Sequence, residues 1–360
     1  MAEIHVAHMV QHLRQGGIES LALEMQALGR SGFAQSIVSL EGEKDAALAA
    51  WPRLRAQAGA LHFMAKPAGK AVGLPLRLAK HLRQQKIEIV QTHHVGPLLY
   101  AGLAARLTGT RLVHVEHDAW HLNEPERRKL VRRLVGLTRP KLVAVSPVVA
   151  ERVEAALERP CQVIGNAIDL ERFCPGDKAT ARNALGLADW LERPLIVCAA
   201  RLEPVKGVDI LLQALAALPV ETTLAVAGEG TERASLEAQA CELGLTDRVR
   251  FLGRIDAMPE LYRAGDVCAL PSRNEGLPLS VLEAQASGCP VVATQVGGVP
   301  RAIDPVSGAI VPPDDPAALA SALESVLASP KPEAARAYAA ARFSFETMMA
   351  AYAKLWAPGT

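Results

Sequence analysis

Aromatic side chains make up only 4% of the 360 residues, whereas half are apolar, with alanine, leucine and valine prominent. That composition excludes all-β and disordered classes and suits helices packed on Val/Ile/Leu-rich parallel strands. No apolar run reaches the ~20 residues that cross a bilayer before charge or proline interrupts it, so no membrane span is expected. None of Cys161, Cys174, Cys198, Cys241, Cys268 and Cys289 forms a C-x-x-C pair, and the opening MAEIHVAHMV lacks a basic segment followed by a long apolar core. Both absences point to a reducing, cytoplasmic setting, in which the cysteines of the second half are small core residues. Three ligand motifs are also incomplete. Gly228-x-Gly230 has Arg233 where a dinucleotide fingerprint needs its third glycine, and Gly69-Lys70 lacks the upstream glycine and following hydroxyl residue of a phosphate loop. His8 and His12 are spaced like a zinc pair, but no glutamate follows His8. Neither a nicotinamide cofactor nor a metal is expected.

At about 150 residues per domain, the length predicts two domains. The net charge of +1 conceals an asymmetry: residues 1–160 sum to +8 and residues 161–360 to −7. All ten histidines (His5, His8, His12, His62, His81, His93, His94, His114, His117 and His121) lie in the first 121 residues. A boundary near 165 follows. Strand-like runs EIHVAHMV, QSIVSL, IEIVQT, RLVHVE and KLVAVS alternate with helical stretches such as GIESLALEMQALGR. The second half repeats the style with PLIVCAA, TTLAVAG, RVRFLG, DVCALPS and CPVVAT. This is βαβ winding, so the expected fold class is α/β with two doubly wound sheets. Residues 166–194 carry proline, glycine and charge without a strand and read as the interdomain connection leading into a helix. The tail from about Ala334 to Trp356 reads as helical.

Residues 271–294, PSRNEGLPLSVLEAQASGCPVVAT, carry the most information. A strand ends at Leu270, a loop holds Asn274, Glu275 and Gly276, and a helix starts near Pro278, with proline at its first position. The backbone N–H groups of Leu279 and Ser280 would then point out of a helix N-terminus at the carboxyl end of the strands, where open α/β sheets bind anions. Glu275 and Glu283 flank that place and suit sugar hydroxyls; equally, acids near a helix start are favoured by the dipole alone. In CAARLEPVKGVDILLQAL, Arg201 and Lys206 stand where a strand hands over to a helix. Two such cations would neutralise a departing diphosphate. Taken alone they read first as a solvated loop pair, since strand-to-helix loops are often basic.

The two segments together resemble the retaining family-4 glycosyltransferases of the GT-B fold. The resemblance rests on Glu275-x7-Glu283, Arg201-x4-Lys206-Gly207, AGEGTER at 227–233, FLGRID, SGAIVPPDDPAAL at 307–319 and the pair Gly16-Gly17. It covers nearly the whole chain and is strongest over residues 195–320. It implies two Rossmann-like domains facing across a cleft. The N-terminal domain, 1–165 plus a returning helix at about 341–360, would bind the acceptor, and 166–340 the nucleotide-sugar donor. By the same resemblance Glu275 contacts the donor sugar and Glu283 the ribose, while Arg201 and Lys206 stabilise the leaving diphosphate. Arg254 and Ile255 would surround the base, and Gly276, Leu277, Leu279 and Ser280 would line the donor site. Gly16 and Gly17 would let backbone approach the donor phosphate, and His117 would face the donor sugar. Asp118 and Ala119 after that histidine, and Ala200 before Arg201, depart from the family pattern and alter the fine shape of the sugar pocket.

The function implied is metal-independent, retaining transfer of a sugar from a nucleotide diphosphate sugar to a hydroxyl of a glycan or lipid-linked acceptor. UDP sugars come first and GDP-mannose second. A nucleotide-sugar 2-epimerase and a non-catalytic sugar-nucleotide sensor are the competing readings; nothing suggests a nucleic-acid partner. The stretch 121–141 holds Arg127, Arg128, Lys129, Arg132, Arg133, Arg139 and Lys141 against Glu124 and Glu126, with Leu130, Leu134 and Leu137 at helical spacing. It reads either as a basic amphipathic helix that lies on anionic lipid or as an ordinary surface helix whose leucines pack on the sheet.

Overall fold

The structure, a computed structural model, describes residues 3–358. These form two compact units: one runs to Asn166 and resumes at Phe345, and the other is Ala167–Ser344.

The first unit is a seven-stranded parallel sheet built from β1 (Ile4–Val10), β2 (Phe33–Ser39), β3 (Leu61–Phe63), β4 (Ile89–His93), β5 (Arg111–Glu116), β6 (Lys141–Ala144) and β7 (Cys161–Val163). Its order is β3-β2-β1-β4-β5-β6-β7, with His8 opposite Ile37 on one side and Gln91 on the other. Helices cover both faces, which is why Val6, Ala7, Met9 and Val10 are all 0% exposed in a single strand. The last helix, Phe345–Trp356, buries Phe345, Met348, Met349, Tyr352, Leu355 and Trp356, a stripe at helical spacing. Trp356 packs 5.3 Å from the Phe33 ring and donates its indole N–H to Gln91 Oε1 at 3.1 Å. The tail is two helices rather than one, Pro332–Arg342 and Phe345–Trp356. Between them the backbone is diverted: the Phe343 carbonyl accepts the Ile168 N–H at 2.9 Å, and Ser344 bridges Ile168.

The basic helix spans Pro125–Thr138, and its buried stripe is Val131, Leu134, Val135 and Thr138. Of the three leucines expected to act together, only Leu134 turns inward, while Leu130 and Leu137 are 44% and 56% exposed. The β-branched Val131 and Val135 pull the contact line one residue further round the helix.

The second unit contains β8 (Leu195–Ala199), β9 (Thr223–Ala227), β10 (Val249–Gly253), β11 (Val267–Leu270), β12 (Val291–Thr294) and β13 (Ala309–Val311). All pairs are parallel, in the order β10-β9-β8-β11-β12-β13. Local signals set its helices. Asp177 accepts the Thr180 N–H at 2.8 Å to cap the connection's helix, and Asp315 accepts the Ala318 N–H at 2.9 Å to cap a helix opening on Pro316. In each sheet the chain winds outward one way and then the other, reversing between β1 and β4 and between β8 and β11. Loops diverge at such a switch point and leave a crevice at the carboxyl ends of the strands.

Candidate active site

The switch point of the second unit is where the sequence-selected charges meet. After β8 come the exposed Arg201 and a single turn, Pro204–Lys206, closed by Gly207 at φ +65°. A Cβ on Gly207 would lie 2.1 Å from the Pro271 carbonyl oxygen, so only glycine lets the loop after β8 lie against the loop after β11. That approach brings Lys206 Nζ to 2.6 Å from Glu275 Oε1, and the buried Ser272 hydroxyl donates to the same oxygen at 2.7 Å. The lysine and glutamate side chains are 18% and 9% exposed, so this is a largely desolvated, charge-assisted pair. Behind it Arg273 clamps Asp209 with two bonds of 2.7 and 3.0 Å and reaches Asp314 at 2.7 Å, fixing the back of the loop. Gly297, at φ +51°, closes the front: a Cβ there would sit 1.7 Å from the Glu275 carbonyl oxygen, and the next N–H, from Gly298, donates to Gly276 O at 2.7 Å.

Pro278 stands one position outside the helix rather than at its first residue, with extended φ/ψ of −72°/124°, and Leu279–Ala286 follows. Leu279 and Ser280 thus head the helix, where backbone N–H groups have no intrahelical acceptor. One turn in, Glu283 Oε2 accepts the Tyr262 hydroxyl at 2.7 Å. Burial, then the neighbouring Glu283, pushes that phenol well above its usual pKa, so Tyr262 is a permanent donor that orients the carboxylate. Gly276 and Leu277 are buried beneath. After β10, Arg254 approaches Glu229 at 3.4 Å from the AGEGTER loop, both about half exposed, with Ile255 half-buried beside it. Arg201, Lys206, Arg254, Glu275 and Glu283 are therefore grouped at the carboxyl ends of β8, β10 and β11 and the helix after β11. Cations and free helix N–H groups suit a diphosphate there, and the two oriented carboxylates suit hydroxyls. Sequence reasoning missed Ser272, Tyr262, Arg273 and Gly297. Only the Gly297-Gly298 pair right after a strand was a visible signal.

In the first unit, Gly16 precedes the helix Gly17–Leu28 after β1. A Cβ on Gly16 would meet Glu19 Oε2 at 2.4 Å, so the missing side chain makes room for a buried carboxylate. Glu19 Oε1 lies 3.5 Å from His12 Nδ1. His117 follows β5. Its Nε2 is 2.9 Å from Nδ1 of His93, at the end of β4, and His93 Nε2 is 3.5 Å from Nδ1 of His8, in β1. Burial lowers the pKa of His117 to about 3 and of His8 to about 4, and places His93 well below the usual value. Next to His117, Asp118 is held below its ordinary pKa: burial is the largest single influence and acts the other way, but the hydrogen bond from His121 at 3.5 Å and the attraction of the neighbouring imidazoles together outweigh it. Among the described residues no helix is long and apolar enough to cross a membrane.

Residues 193–329 match the family described as glycosyl transferases group 1, and residues 2–172 match glycosyltransferase family 4. The D-inositol 3-phosphate glycosyltransferase of Xylanimonas cellulosilytica is 35% identical over 315 residues, 79% of this chain and 75% of the relative. That of Geodermatophilus obscurus is 38% identical over 223 residues, 57% of this chain and 49% of the relative, so the match spans about half that protein's length. Among solved structures, Anabaena Alr3699/HepE with UDP and glucose superposes with a TM-score of 0.84 at 23% identity, covering 98% of this chain and 99% of that one. WaaG, a glycosyltransferase of lipopolysaccharide biosynthesis, gives 0.72 at 20% identity, covering 98% and 100%. Two open parallel sheets, the two family matches and the Xylanimonas relative agree: the chain belongs to glycosyltransferase family 4, the group 1 glycosyl transferases, and has their GT-B fold.

Proposed function

We propose that the protein is a retaining glycosyltransferase that moves a sugar from a nucleotide diphosphate sugar, UDP before GDP, to an acceptor hydroxyl without a metal ion. The observation that carries this reading is the Lys206–Glu275–Ser272 cluster at the switch point between β8 and β11. A diphosphate arriving there exchanges with Glu275 as the partner of Lys206, which releases the carboxylate toward the sugar. Arg201 and Lys206 then meet the charge that grows on the leaving phosphate as the C1–O bond breaks; preorganised charge of this kind is the largest catalytic effect such a site can supply. The acceptor oxygen bonds to C1 on the same face, and its proton passes to the departing phosphate oxygen. Glu283, oriented by Tyr262, holds the ribose, and Arg254 and Ile255 flank the base. The first unit binds the acceptor, while its Gly16 and Gly17 serve the donor phosphate and its His117 the donor sugar.

UDP is placed first because a fold relative was crystallised with UDP-glucose. The name of the D-inositol 3-phosphate glycosyltransferases adds an inositol phosphate to the glycans and lipid-linked sugars worth testing as acceptors. An acceptor carried on a membrane would be met through the Pro125–Thr138 helix, whose exposed Arg127, Arg128, Lys129, Arg132 and Arg133 surround the exposed Leu130 and Leu137. Each cation near an anionic surface contributes about 1 kcal/mol. Cosedimentation with phosphatidylglycerol vesicles tests this: binding at low salt, lost when Arg127, Arg128, Arg132 and Arg133 are neutralised, is expected, and no binding even at low salt removes the membrane.

The donor reading is tested by ligand-induced stabilisation. UDP at a hundred times its Kd should stabilise the protein by about 2.7 kcal/mol, with added hydrogen-exchange protection in the loops after β8, β10 and β11. No stabilisation by UDP, GDP or ADP would overturn it. Conversion of a donor to its epimer without acceptor would favour the epimerase instead.

A further inference from the structure

We propose that the first unit binds a phosphate monoester in a cationic cavity at the amino-terminal edge of its sheet, the edge opposite the crevice at the carboxyl ends of the strands. The proposal uses no group of the second unit and does not rest on the donor reading above.

The cavity, of about 260 Å³, lies where β5 and β6 begin and where the helices Val95–Thr108 and Pro125–Thr138 end. Arg106, Arg111, Arg139 and Lys141 line it, and all four are exposed. Its apolar lining includes Ile89, Leu112 and, from the terminal helix Phe345–Trp356, Leu355. Among the described residues no acidic side chain lines it. Arg111 opens β5 and His117 follows the end of that strand, so at about 3.3 Å per residue the cavity is about 20 Å from the crevice of this sheet.

Cations at helix C-termini have an ordinary use, which is to meet the partial negative charge of about −0.5 on the last carbonyls of each helix. Two helix ends account for about one unit of charge here, and the cations exceed it. Acids do not consume the excess. Among the described residues Arg106 and Arg139 have no ion-pair partner, and Arg111 Nη1 donates to a neutral group, the Ala357 carbonyl, at 2.9 Å. The guanidinium groups of Arg106, Arg111 and Arg139 therefore keep about two positive charges beyond the helix ends before Lys141 is counted.

A phosphate monoester matches that surplus, with a charge of about −1.5 to −2 near pH 7 and three acceptor oxygens. Forked guanidinium groups can each offer it two parallel N–H bonds. A carboxylate would use one arginine and leave the others repelling one another. The side lined by Ile89, Leu112 and Leu355 takes the substituent that the ester carries. A soluble phosphorylated compound and a lipid headgroup share this chemistry. For the lipid, Leu107 and Leu137, next in the chain to Arg106 and Thr138, are 53% and 56% exposed and would meet the acyl chains.

Glycerol 3-phosphate and vesicles containing phosphatidic acid present the same group free and on lipid, with glycerol and phosphatidylcholine vesicles as neutral controls. Hydrogen exchange of the full chain at pH 7.5 and constant ionic strength should show protection in peptides covering 105–113 and 138–141. Protection by glycerol 3-phosphate assigns a soluble ligand, and protection by phosphatidic acid alone assigns a lipid headgroup. Protection by neither, or protection confined to the loops at the carboxyl ends of the strands, overturns the proposal. Arg106→Gln and Arg139→Asn should each weaken binding about tenfold, the loss of one charge-assisted bond. Asparagine is chosen because it tolerates the left-handed φ of +49° at position 139. If that variant does not fold, Arg106→Gln on the exposed surface carries the same expectation. Native affinity in the folded variants overturns the proposal. None of these results depends on whether UDP binds, so failure here and failure of the donor reading are told apart.

Discussion

Lowering the pH from 7.5 to 5.5 should weaken the first unit and leave the second almost untouched. Every histidine lies in the first 121 residues, so Ala167–Ser344 has no group titrating in this range with an ordinary histidine pKa. His8 and His93 are fully buried, with pKa values pushed down by that burial, to about 4 for His8 and well below the usual value for His93. Above about pH 6.5 both folded and unfolded chains hold these rings neutral. Below it the unfolded chain takes up protons that the folded site refuses, so stability present above 6.5 is lost as pH falls toward the folded values. One pH unit below the unfolded pKa costs about 1.4 kcal/mol per ring, hence about 3 kcal/mol for the two at pH 5.5. His117, His62, His81 and His94, also lowered chiefly by burial, act in the same direction, so the figure for two rings is a lower bound. His121 does not cancel this: its pKa is raised, with burial opposed by Asp118 and Glu116, so its stabilisation is complete below 6.5 and contributes no slope there. Asp118 and Glu41, held low, lose their contribution only below the carboxylate range. Hydrogen exchange read by mass spectrometry, corrected for intrinsic rates, should show peptides from β1 and β4 opening at least about a hundredfold more often at pH 5.5 while β8 and β11 hold. Equal loss in both units, or none in the first, would refute the reasoning.

Excess chelator should leave activity intact, and Lys206→Ala should lower kcat by about 10²–10³-fold, as when one preorganised charge partner is removed; activity abolished by chelator and restored by manganese would refute it. Gly297→Ala places a Cβ 1.7 Å from the Glu275 carbonyl oxygen at a backbone angle alanine avoids, so turnover should fall as far as in a Glu275 variant while circular dichroism stays native. Trp356→Ala removes a fully buried indole and its bond to Gln91, which should cost about 3–5 kcal/mol in urea unfolding of the first unit.

The longer strands were readable because both faces of each sheet are covered, so most are rich in Val, Ile, Leu and Ala and bounded by turn residues; the three-residue strands Leu61–Phe63, Cys161–Val163 and Ala309–Val311 were too short to show a pattern. Glu275, Glu283, Arg201 and Lys206 were readable because each sits where a strand passes into a helix, a junction that sequence shows directly. What joins them was not. Lys206 and Glu275 are 69 residues apart, and their contact depends on β8 lying beside β11 and on Gly207 permitting close approach. Tyr262 meets Glu283 only because their two helices pack together, and a tyrosine in LYRAGD carries no sign of that. The His8–His93–His117 contacts depend on β1, β4 and β5 lying side by side in register, which no local spacing encodes. The tail looked like one helix because the alanine-rich stretch favours helix throughout, whereas pairing of Phe343 and Ser344 with Ile168 breaks it.

The most direct measurement is the rate of UDP release from saturating UDP-sugar by the native protein, Glu275→Gln and Glu283→Ala, with donor affinity determined in parallel. A contact made with the reacting sugar appears in kcat, and a ribose contact appears as uniform binding in KM. Glu275→Gln should slow release at nearly native affinity, and Glu283→Ala should raise KM with kcat largely kept. No UDP release by the native protein, or equal effects of both substitutions on KM alone, would contradict a donor site built on these two carboxylates.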